Sequence, residues 1–513
     1  MPAPGISTPP EAPVTALSAG RVRGMWRAGP DGGSPSAAFL GIPFAKPPVG
    51  DLRFAAPRRP DPWEGVRDAL AHGPTPKRDD SAQTLIPEPA IPGEATLNLD
   101  VFTPAPGDRG AHLPVMVWIH GGGYVEGSPA SPWYDGAAFT RDGIVTVNVS
   151  YRLGFDGFGR IPGAPDNRGV LDWLAALEWV QENIGAFGGD PDRVTIMGQS
   201  AGGGAVLTLL GMPAAQPLFH RVISLSGALG DVPGARARRL SARLAELAGV
   251  ACTRDGFASV PEERLASLQA EAAKPDSGKA LDGEVSLLRE GLPWAPMIDG
   301  DLITRPTAES LGAGVGADKA LLLGAADDEL MMTTDAMRGR LRLVPPGLAL
   351  ARMGLEGRRR RAYLRDNREL RRRGAAVALG RYATDRVFRS LVARVAGART
   401  ATGVDGRTGS ASTWVYAFSW ASPALGWACH CLDVPFWFDC LGAPGVDRVA
   451  GSQPPQALAR ALHSAAVRFV DGGDPGWPAW SSAPGATAVL GGPGAPDGLQ
   501  VRPDGYASLS ALL

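Results

Sequence analysis

Uninterrupted runs of apolar residues divide the middle of the chain into candidate strands and helices. Val115–Ile119 and Ile144–Val149 are rich in β-branched residues and carry no charge, a composition typical of strands covered on both faces. From Asn167 onwards, apolar positions recur every three or four residues, which predicts a helix that begins at this N-capping residue. Val194–Met197 then predicts another buried strand, and Ala205–Leu210 an apolar helix. Strands alternating with helices indicate a parallel sheet with right-handed crossovers.

The flanking sequence extends this pattern into a single domain of residues 14–513, behind a disordered leader at residues 1–13. From Val14 to about Pro104, short apolar runs alternate with Pro-rich turns, as in a small antiparallel sheet. Helical patterns dominate from about Asp231 to Leu379 and predict large helical insertions. Two more strands are predicted, at Ala320–Leu323 and Thr413–Phe418.

Composition and charge narrow the range of partners. The 513 residues are 44% hydrophobic and carry a formal net charge of -1, which provides no field to attract nucleic acid or an anionic membrane. The Arg-dense segment Arg352–Arg373 is interpreted as a solvated helical face, because acidic residues interleave with it. The same near-neutral charge favours a small, weakly charged or neutral substrate. No signal peptide and no apolar run of about 18 residues is visible, which predicts a cytoplasmic protein. The oligomeric state stays open.

Gly198-Gln199-Ser200-Ala201-Gly202 fits the pattern G-x-S-x-G at the junction between a predicted strand and a predicted helix. A nucleophile in such a sharp turn needs small residues two positions before and after it. The amides at the start of the following helix point at the charge that develops on a substrate oxygen. Ser200 is therefore the candidate nucleophile, and the motif predicts an α/β-hydrolase fold: a mostly parallel sheet with helices on both faces.

A glycine-rich loop supplies the candidate oxyanion hole. His120-Gly121-Gly122-Gly123-Tyr124 follows the predicted strand Val115–Ile119, and consecutive glycines allow a backbone to approach a ligand with free N–H groups. Gly122 and Gly123, together with Ala201, are the expected donors to the oxyanion. His120 is interpreted as a structural residue of this loop.

The general base must be a histidine that follows the nucleophile, since the order in this fold is nucleophile, acid, histidine. That order leaves His430 and His463. His463 lies in an amphipathic helical pattern, whereas His430 lies in a loop after the strand Thr413–Phe418, so His430 is favoured. Asp327, Asp328 and Glu329 follow the strand that ends near Leu323, and chemistry alone leaves all three open as the acid.

Cysteines surround the candidate base. Cys429, Cys431 and Cys440 raise the alternative of a zinc site, because thiolates and an imidazole are good zinc ligands. Cys-x-Cys is not the usual spacing of a zinc knuckle, and a zinc-bound His430 would not act as a base. We therefore interpret these cysteines as structural thiols and predict neither a metal nor a cofactor.

From Phe39 to Trp480 the chain resembles the type-B carboxylesterases, which include bacterial para-nitrobenzyl esterases and cholinesterases. The resemblance lies in long motifs in the correct order: Phe39–Ala45 with Pro47–Gly50 and Leu52–Phe54, Asn148–Gly154, Asn167–Gly202, Leu225–Gly227 and Ala428–Phe436. It implies a serine esterase that works through an acyl-enzyme without a cofactor. The family's strand-Gly-x-x-x-x-Glu pattern maps onto Gly324–Glu329, so the resemblance favours Glu329 as the acid, and it places Ser226 behind the nucleophile.

The chain departs from the family pattern in three ways: in the residue before the nucleophile, in a missing disulfide and in a loop without a tryptophan. Gln199 stands where the family commonly has Glu, which removes a negative charge beside Ser200. Thr96 stands where secreted members have the second cysteine of a disulfide, which fits a reducing compartment. The loop Asp79–Gly93 has no Trp of the kind that binds quaternary ammonium in cholinesterases.

The sequence thus predicts a carboxylic-ester hydrolase with Ser200, Glu329 and His430 as its triad. Two alternatives remain: amide or carbamate hydrolysis on the same site, and a non-catalytic binding module of the family. The acyl and alcohol groups of the substrate are not predicted, because the pocket walls come from the helical insertions, where the resemblance is weakest.

Overall fold

The computed structural model describes residues 11–29, 35–78, 85–274, 288–403 and 411–513, with the backbone alone at 401–403. Most of the predicted leader, residues 1–10, and residues 79–84 of the loop Asp79–Gly93 lie outside the described residues. The strands are β1 Val14–Ala16, β2 Arg21–Arg23, β3 Met25–Arg27, β4 Ser36–Pro43, β5 Val66–Asp68, β6 Asn98–Thr103, β7 Leu113–Ile119, β8 Val145–Val149, β9 Gly189–Gln199, β10 Arg221–Leu225, β11 Val232–Pro233, β12 Met297–Ile298, β13 Ala320–Ala326, β14 Thr413–Phe418, β15 Thr487–Leu490 and β16 Leu499–Arg502.

A large, mostly parallel sheet organises the molecule. Its strands lie in the order β16-β15-β14-β13-β10-β9-β7-β8-β6-β4-β3. All neighbours from β8 through β15 pair in parallel, whereas β16 at one edge and β6, β4 and β3 at the other pair antiparallel. The predicted α/β-hydrolase sheet is confirmed.

Helices cover both faces of this sheet because successive strand residues point to opposite sides. In β7, Val115, Val117 and Ile119 belong to one buried cluster, while Met116 and Trp118 belong to another. The helices are α1 Ala137–Arg141, α2 Gly154–Phe158, α3 Arg168–Asn183, α4 Ala201–Leu210, α5 Gly234–Ala248, α6 Arg254–Ala258, α7 Glu262–Ala272, α8 Thr307–Gly312, α9 Met331–Asp335, α10 Arg338–Leu341, α11 Pro346–Arg352, α12 Gly357–Asp366, α13 Arg368–Arg373, α14 Ala375–Thr384, α15 Ser390–Gly403, α16 Val434–Trp437, α17 Val446–Ala450 and α18 Gln456–Gly472.

The N-terminal region differs from its prediction. The separate small sheet contains β1, β2 and β5, and its β2–β5 pairing is parallel. The strands β3, β4 and β6 instead extend the main sheet. Pro-rich turns mark where these strands end, but the choice of sheet depends on long-range pairing. Six of the eight residues of β4 and all of β6 are buried, as expected for strands inside the core.

The predictions for the helical insertions and for the cap at Asn167 also differ from the structure. The helices that were predicted for Asp231–Leu379 continue to Gly403, beyond a π-helical turn at Asp385–Arg389. Asn167 precedes α3 in a left-handed conformation, with φ of 55°, and its side chain makes no capping hydrogen bond. The side-chain amide Nδ2 of Asn167 instead donates to Met297 O and to the Asp299 carboxylate, which attaches the start of α3 to the insertion.

Candidate active site

Ser200 occupies the single-residue turn between β9 and α4. Its backbone has φ of 58° and ψ of -120°, a conformation that costs a non-glycine residue roughly 1–3 kcal/mol. The flanking glycines have no room for a side chain, since a Cβ on Gly198 would lie 2.4 Å from Gly202 O, and one on Gly202 only 1.9 Å from Ile119 O. The turn is held by the Ser200 amide, which donates to Leu225 O at 2.9 Å.

His430 lies between Ser200 and Glu329. Its Nε2 is 2.9 Å from Ser200 Oγ, and its Nδ1 is 2.5 Å from Glu329 Oε2. Glu329 is buried, and its other oxygen, Oε1, accepts a hydrogen bond from the Ala326 amide at 2.7 Å. With Nδ1 donating to the carboxylate, Nε2 is free to accept the serine proton.

The two neighbouring carboxylates point elsewhere. Asp327 accepts from Ser419 Oγ at 2.6 Å and faces Arg389 and Arg381 at 3.4 and 3.5 Å. Asp328 lies 3.5 Å from Arg381 and accepts from the Ala428 amide at 3.4 Å. Of the three candidate acids, only Glu329 has a hydrogen bond to His430 among the described contacts.

The other histidines considered serve the packing. His463 Nδ1 lies 2.9 Å from Trp437 O, and its Nε2 lies 2.9 Å from Asp142. His120 stacks on Tyr151 and bonds to Gly121 O, and burial lowers the pKa of His120 to about 4. Both residues are therefore held by contacts away from Ser200.

The candidate oxyanion donors lie on the glycine-rich loop and at the start of α4, next to the nucleophile in the chain or in space. Gly122 and Gly123 have φ of 103° and 60°, and a Cβ on Gly122 would lie 2.2 Å from Glu126 O, so the loop requires glycine. The loop passes close to the serine, since a Cβ on Gly121 would lie 3.1 Å from Ser200 Cβ. Within the described residues, the amides of Gly122 and Gly123 donate no hydrogen bond, and Ala201 opens α4. All three amides can therefore serve an oxygen bound beside Ser200.

Gln199 and Ser226 lie in the surroundings where the resemblance put them. Gln199 is buried, and its Nε2 approaches His430 Nε2 to 3.4 Å. Ser226 has φ of 47°, and its amide donates to Gly324 O, which joins the loop after β10 to β13. Its buried hydroxyl has no hydrogen-bond partner among the residues described.

The charge on His430 is set by its neighbours. Burial alone would lower the pKa of His430, but Cys431 and Glu329 outweigh burial and raise it well above the ordinary value of an imidazole. The sequence predicts Cys431 to be a structural thiol rather than a zinc ligand and assigns it no effect on His430. Its position next to His430 in the chain was a visible signal, and its backbone is left-handed, with φ of 67°.

A cavity of about 420 Å³ opens above Ser200. Its wall includes Gly123, Leu330 and Phe388, and the Phe388 ring lies 4.9 Å from the His430 ring. Sequence reasoning missed Phe388, because it comes from the π-helical turn far along the chain and no motif marks it. All four cysteines are free, and in the described part of the chain no group of three potential metal ligands occurs.

Comparisons with known proteins show which family the chain is similar to. The sequence model of the carboxylesterase family matches residues 11–488. The para-nitrobenzyl esterase of Bacillus subtilis (strain 168) is 33% identical over 473 residues, covering 88% of this chain and 90% of that protein. The liver carboxylesterase of Sus scrofa is 42% identical over 231 residues, covering 43% of this chain and 40% of that protein.

Solved structures give the same result. The carboxylesterase EST55 of Geobacillus stearothermophilus superposes with a TM-score of 0.81 at 32% identity, covering 98% of this chain and 100% of that one. A PNB esterase structure superposes with a TM-score of 0.78 at 28% identity, covering 98% and 99% of the two chains. Among the residues described here, none of the helices combines the length and apolar character that a membrane span requires.

Proposed function

Since the chain belongs to the carboxylesterase family and is a carboxylic-ester hydrolase, we propose that it works through an acyl-enzyme formed on Ser200. Ser200 Oγ attacks the ester carbonyl carbon while His430 Nε2 takes the hydroxyl proton. Glu329 holds His430 in the required tautomer and stabilises the imidazolium. The single observation that carries this proposal is the hydrogen-bonded series Ser200–His430–Glu329.

The tetrahedral intermediate places a negative charge on the former carbonyl oxygen. We assign the amides of Gly122, Gly123 and Ala201 as its donors, since preorganised N–H groups stabilise this charge more than the neutral carbonyl. When the intermediate collapses, the bond to the alkoxy oxygen breaks, and His430 gives its proton to the departing alcohol. The acyl group remains on Ser200.

Deacylation repeats these steps with water. His430 removes a proton from a water molecule, which attacks the acyl carbonyl. The carboxylic acid then leaves as Ser200 Oγ recovers the proton from His430. The proposed reaction needs no cofactor. We propose Gln199 and Ser226 as positioning residues, since Gln199 lies beside His430 Nε2 and Ser226 joins the turn to β13.

An organophosphate provides the test of this chemistry. Diisopropyl fluorophosphate should add one phosphoryl group per chain, on Ser200, with activity falling in proportion to labelling. Ser200→Ala should take up no label, and a metal chelator should leave wild-type activity unchanged. Labelling of another residue, or full activity after stoichiometric labelling, would contradict the proposal.

We also propose a cytoplasmic location and a single domain of residues 14–513. Support for the location comes from the four free cysteines, since thiols persist in reducing compartments. Support for the domain comes from the sheet, whose edges are β3 and β16. Cell fractionation tests the first proposal, and limited proteolysis the second: a stable fragment much shorter than residues 14–513 would contradict it.

A further inference from the structure

A second cavity, of about 370 Å³, lies next to the cavity above Ser200. Leu288 and Leu330 line both cavities, so these two side chains form a common wall. Leu330 directly follows Glu329 in the chain. The two spaces are therefore neighbours, and an occupant that reaches from one to the other would pass beside these two leucines.

The second cavity is apolar. Ten of its thirteen lining residues are apolar, and the polar ones are Thr333, Thr334 and Arg352. The Thr334 hydroxyl already donates to Met331 O at 3.2 Å, which leaves little demand for a polar ligand. Burial of an alkyl group against such a surface is favourable, and the cavity volume lies within the range of ordinary ligand sites.

This space is not a sealed packing defect. Interiors of proteins leave few voids much larger than a water molecule, and unfilled apolar space lowers stability. Here the cavity extends to the surface at Leu348, which is 55% exposed, and at the exposed Arg352. The cavity is thus open at one end and separated from the catalytic cavity by Leu330 at the other.

We propose that the second cavity receives the distal part of an alkyl chain whose ester group lies at Ser200, so that the enzyme prefers long aliphatic esters. The inference rests on the proposed function of Ser200. The volume holds roughly twelve methylene-sized groups, if each takes about the 30 Å³ of a water molecule. The same aliphatic chemistry can come from the acyl or the alcohol side of the ester.

Ala383→Phe tests the cavity without touching the catalytic groups. Ala383 lies near the C-terminal end of α14 and lines the second cavity but not the first. Its substitution puts a ring into the space that the chain would occupy. Ala336→Phe is the matched control, because Ala336 is exposed and lines neither cavity.

Three substrates are compared: 4-nitrophenyl acetate, 4-nitrophenyl decanoate and decyl acetate. Each buried methylene contributes about fourfold to kcat/KM, so we expect the wild-type enzyme to favour decanoate over 4-nitrophenyl acetate at least tenfold. Ala383→Phe should lower kcat/KM for 4-nitrophenyl decanoate at least tenfold and keep kcat/KM for 4-nitrophenyl acetate within about twofold of the wild-type value. A loss confined to decyl acetate would assign the chain to the alcohol side.

The inference is overturned if folded Ala383→Phe retains the wild-type ratio between long and short esters, or if both fall equally. Should this variant fail to fold, Val344→Trp fills the same cavity from another segment and decides by the same criteria. Ser200→Ala separates the two proposals. Substantial ester turnover by that variant would refute the proposed function, whereas its inactivity together with an unchanged chain-length profile in Ala383→Phe would refute only the second cavity's role.

Discussion

Ser200 has a strained backbone, and its side chain is hydrogen-bonded to His430. Substitutions that remove only a side-chain group therefore test whether activity can be lost while the fold is kept. We expect Ser200→Ala and His430→Ala each to lower ester turnover by at least about 10³-fold, because members of such a group act as a unit. Both variants should keep the wild-type circular dichroism spectrum. Retention of more than a few per cent of the activity by either folded variant would disprove the assignment.

The three consecutive carboxylates should differ in kind. We expect Glu329→Gln to lower kcat far more than Asp327→Asn or Asp328→Asn, since Glu329 alone among them accepts from His430. Asp327→Asn should mainly lower the unfolding free energy, because it would leave Arg389 with a weakened partner. Steady-state kinetics and urea unfolding of the three variants measure this. A larger kcat loss in Asp328→Asn would contradict the assignment of Glu329.

The raised pKa of His430 determines the acid side of the pH profile. His430 must be neutral to accept the Ser200 proton, so kcat/KM should rise with pH through a midpoint above about 6.5, the ordinary histidine value. Cys431→Ala removes one cause of the raised pKa and should shift this midpoint to lower pH. Cys252→Ala, in a different buried cluster, is the control. An unchanged midpoint in Cys431→Ala would show that Cys431 does not act on His430.

At the scale of elements, buried charges attach the loops to the helices. The loop after β8 is joined to α3 by Arg152, which donates to both oxygens of Asp172 at 2.7 and 2.9 Å. The side chains of this pair are only 4% and 0% exposed, so water can solvate neither charge if the pair is broken. This contact orients α3 against the segment that precedes it.

Breaking this pair should cost much more than breaking a surface pair. We expect Asp172→Asn to lower the free energy of unfolding by about 3 kcal/mol, because it leaves a buried guanidinium without its countercharge. Asp68→Asn breaks the pair with Arg23, whose side chains are 45% and 55% exposed, and should cost less than about 1 kcal/mol. Urea denaturation of both variants measures the difference. Equal costs would mean that the Arg152–Asp172 pair is solvated in the native state.

At the scale of the whole molecule, the formal net charge is only -1, and the charged residues that line the catalytic cavity also balance one another. Its wall carries two acidic residues, Asp231 and Glu309, and two basic ones, Arg386 and Arg394. Gln199 adds no charge beside Ser200. The cavity therefore offers little net attraction to a cation.

We expect kcat/KM for a neutral short-chain ester to equal or exceed that for the matched choline ester. Initial rates at low and moderate salt measure this ratio, and it should change little with salt because the charges of the cavity balance. A preference for the choline ester above about tenfold, removed by a quaternary ammonium competitor, would reveal a cation site.

Local sequence by itself determined the nucleophile turn and most of the central strands. The glycines around Ser200 are required because an added Cβ at the two flanking positions would lie 1.9 and 2.4 Å from backbone oxygens, and β14 has the predicted bounds Thr413–Phe418. Such features depend on side-chain size and on short hydrophobic periods, which a sequence displays directly. The resemblance to a family added the choice of Glu329, which the chemistry of three adjacent carboxylates had left open.

Tertiary structure decided the features that depend on distant segments. It brought Phe388 to His430, joined Asn167 to Met297, and placed β4 and β6 in the main sheet instead of a separate one. It also created the two cavities that share Leu330. These outcomes depend on which surfaces meet when helices of the insertions pack together, and the free energy of that packing is spread over many side chains with no local pattern to mark it.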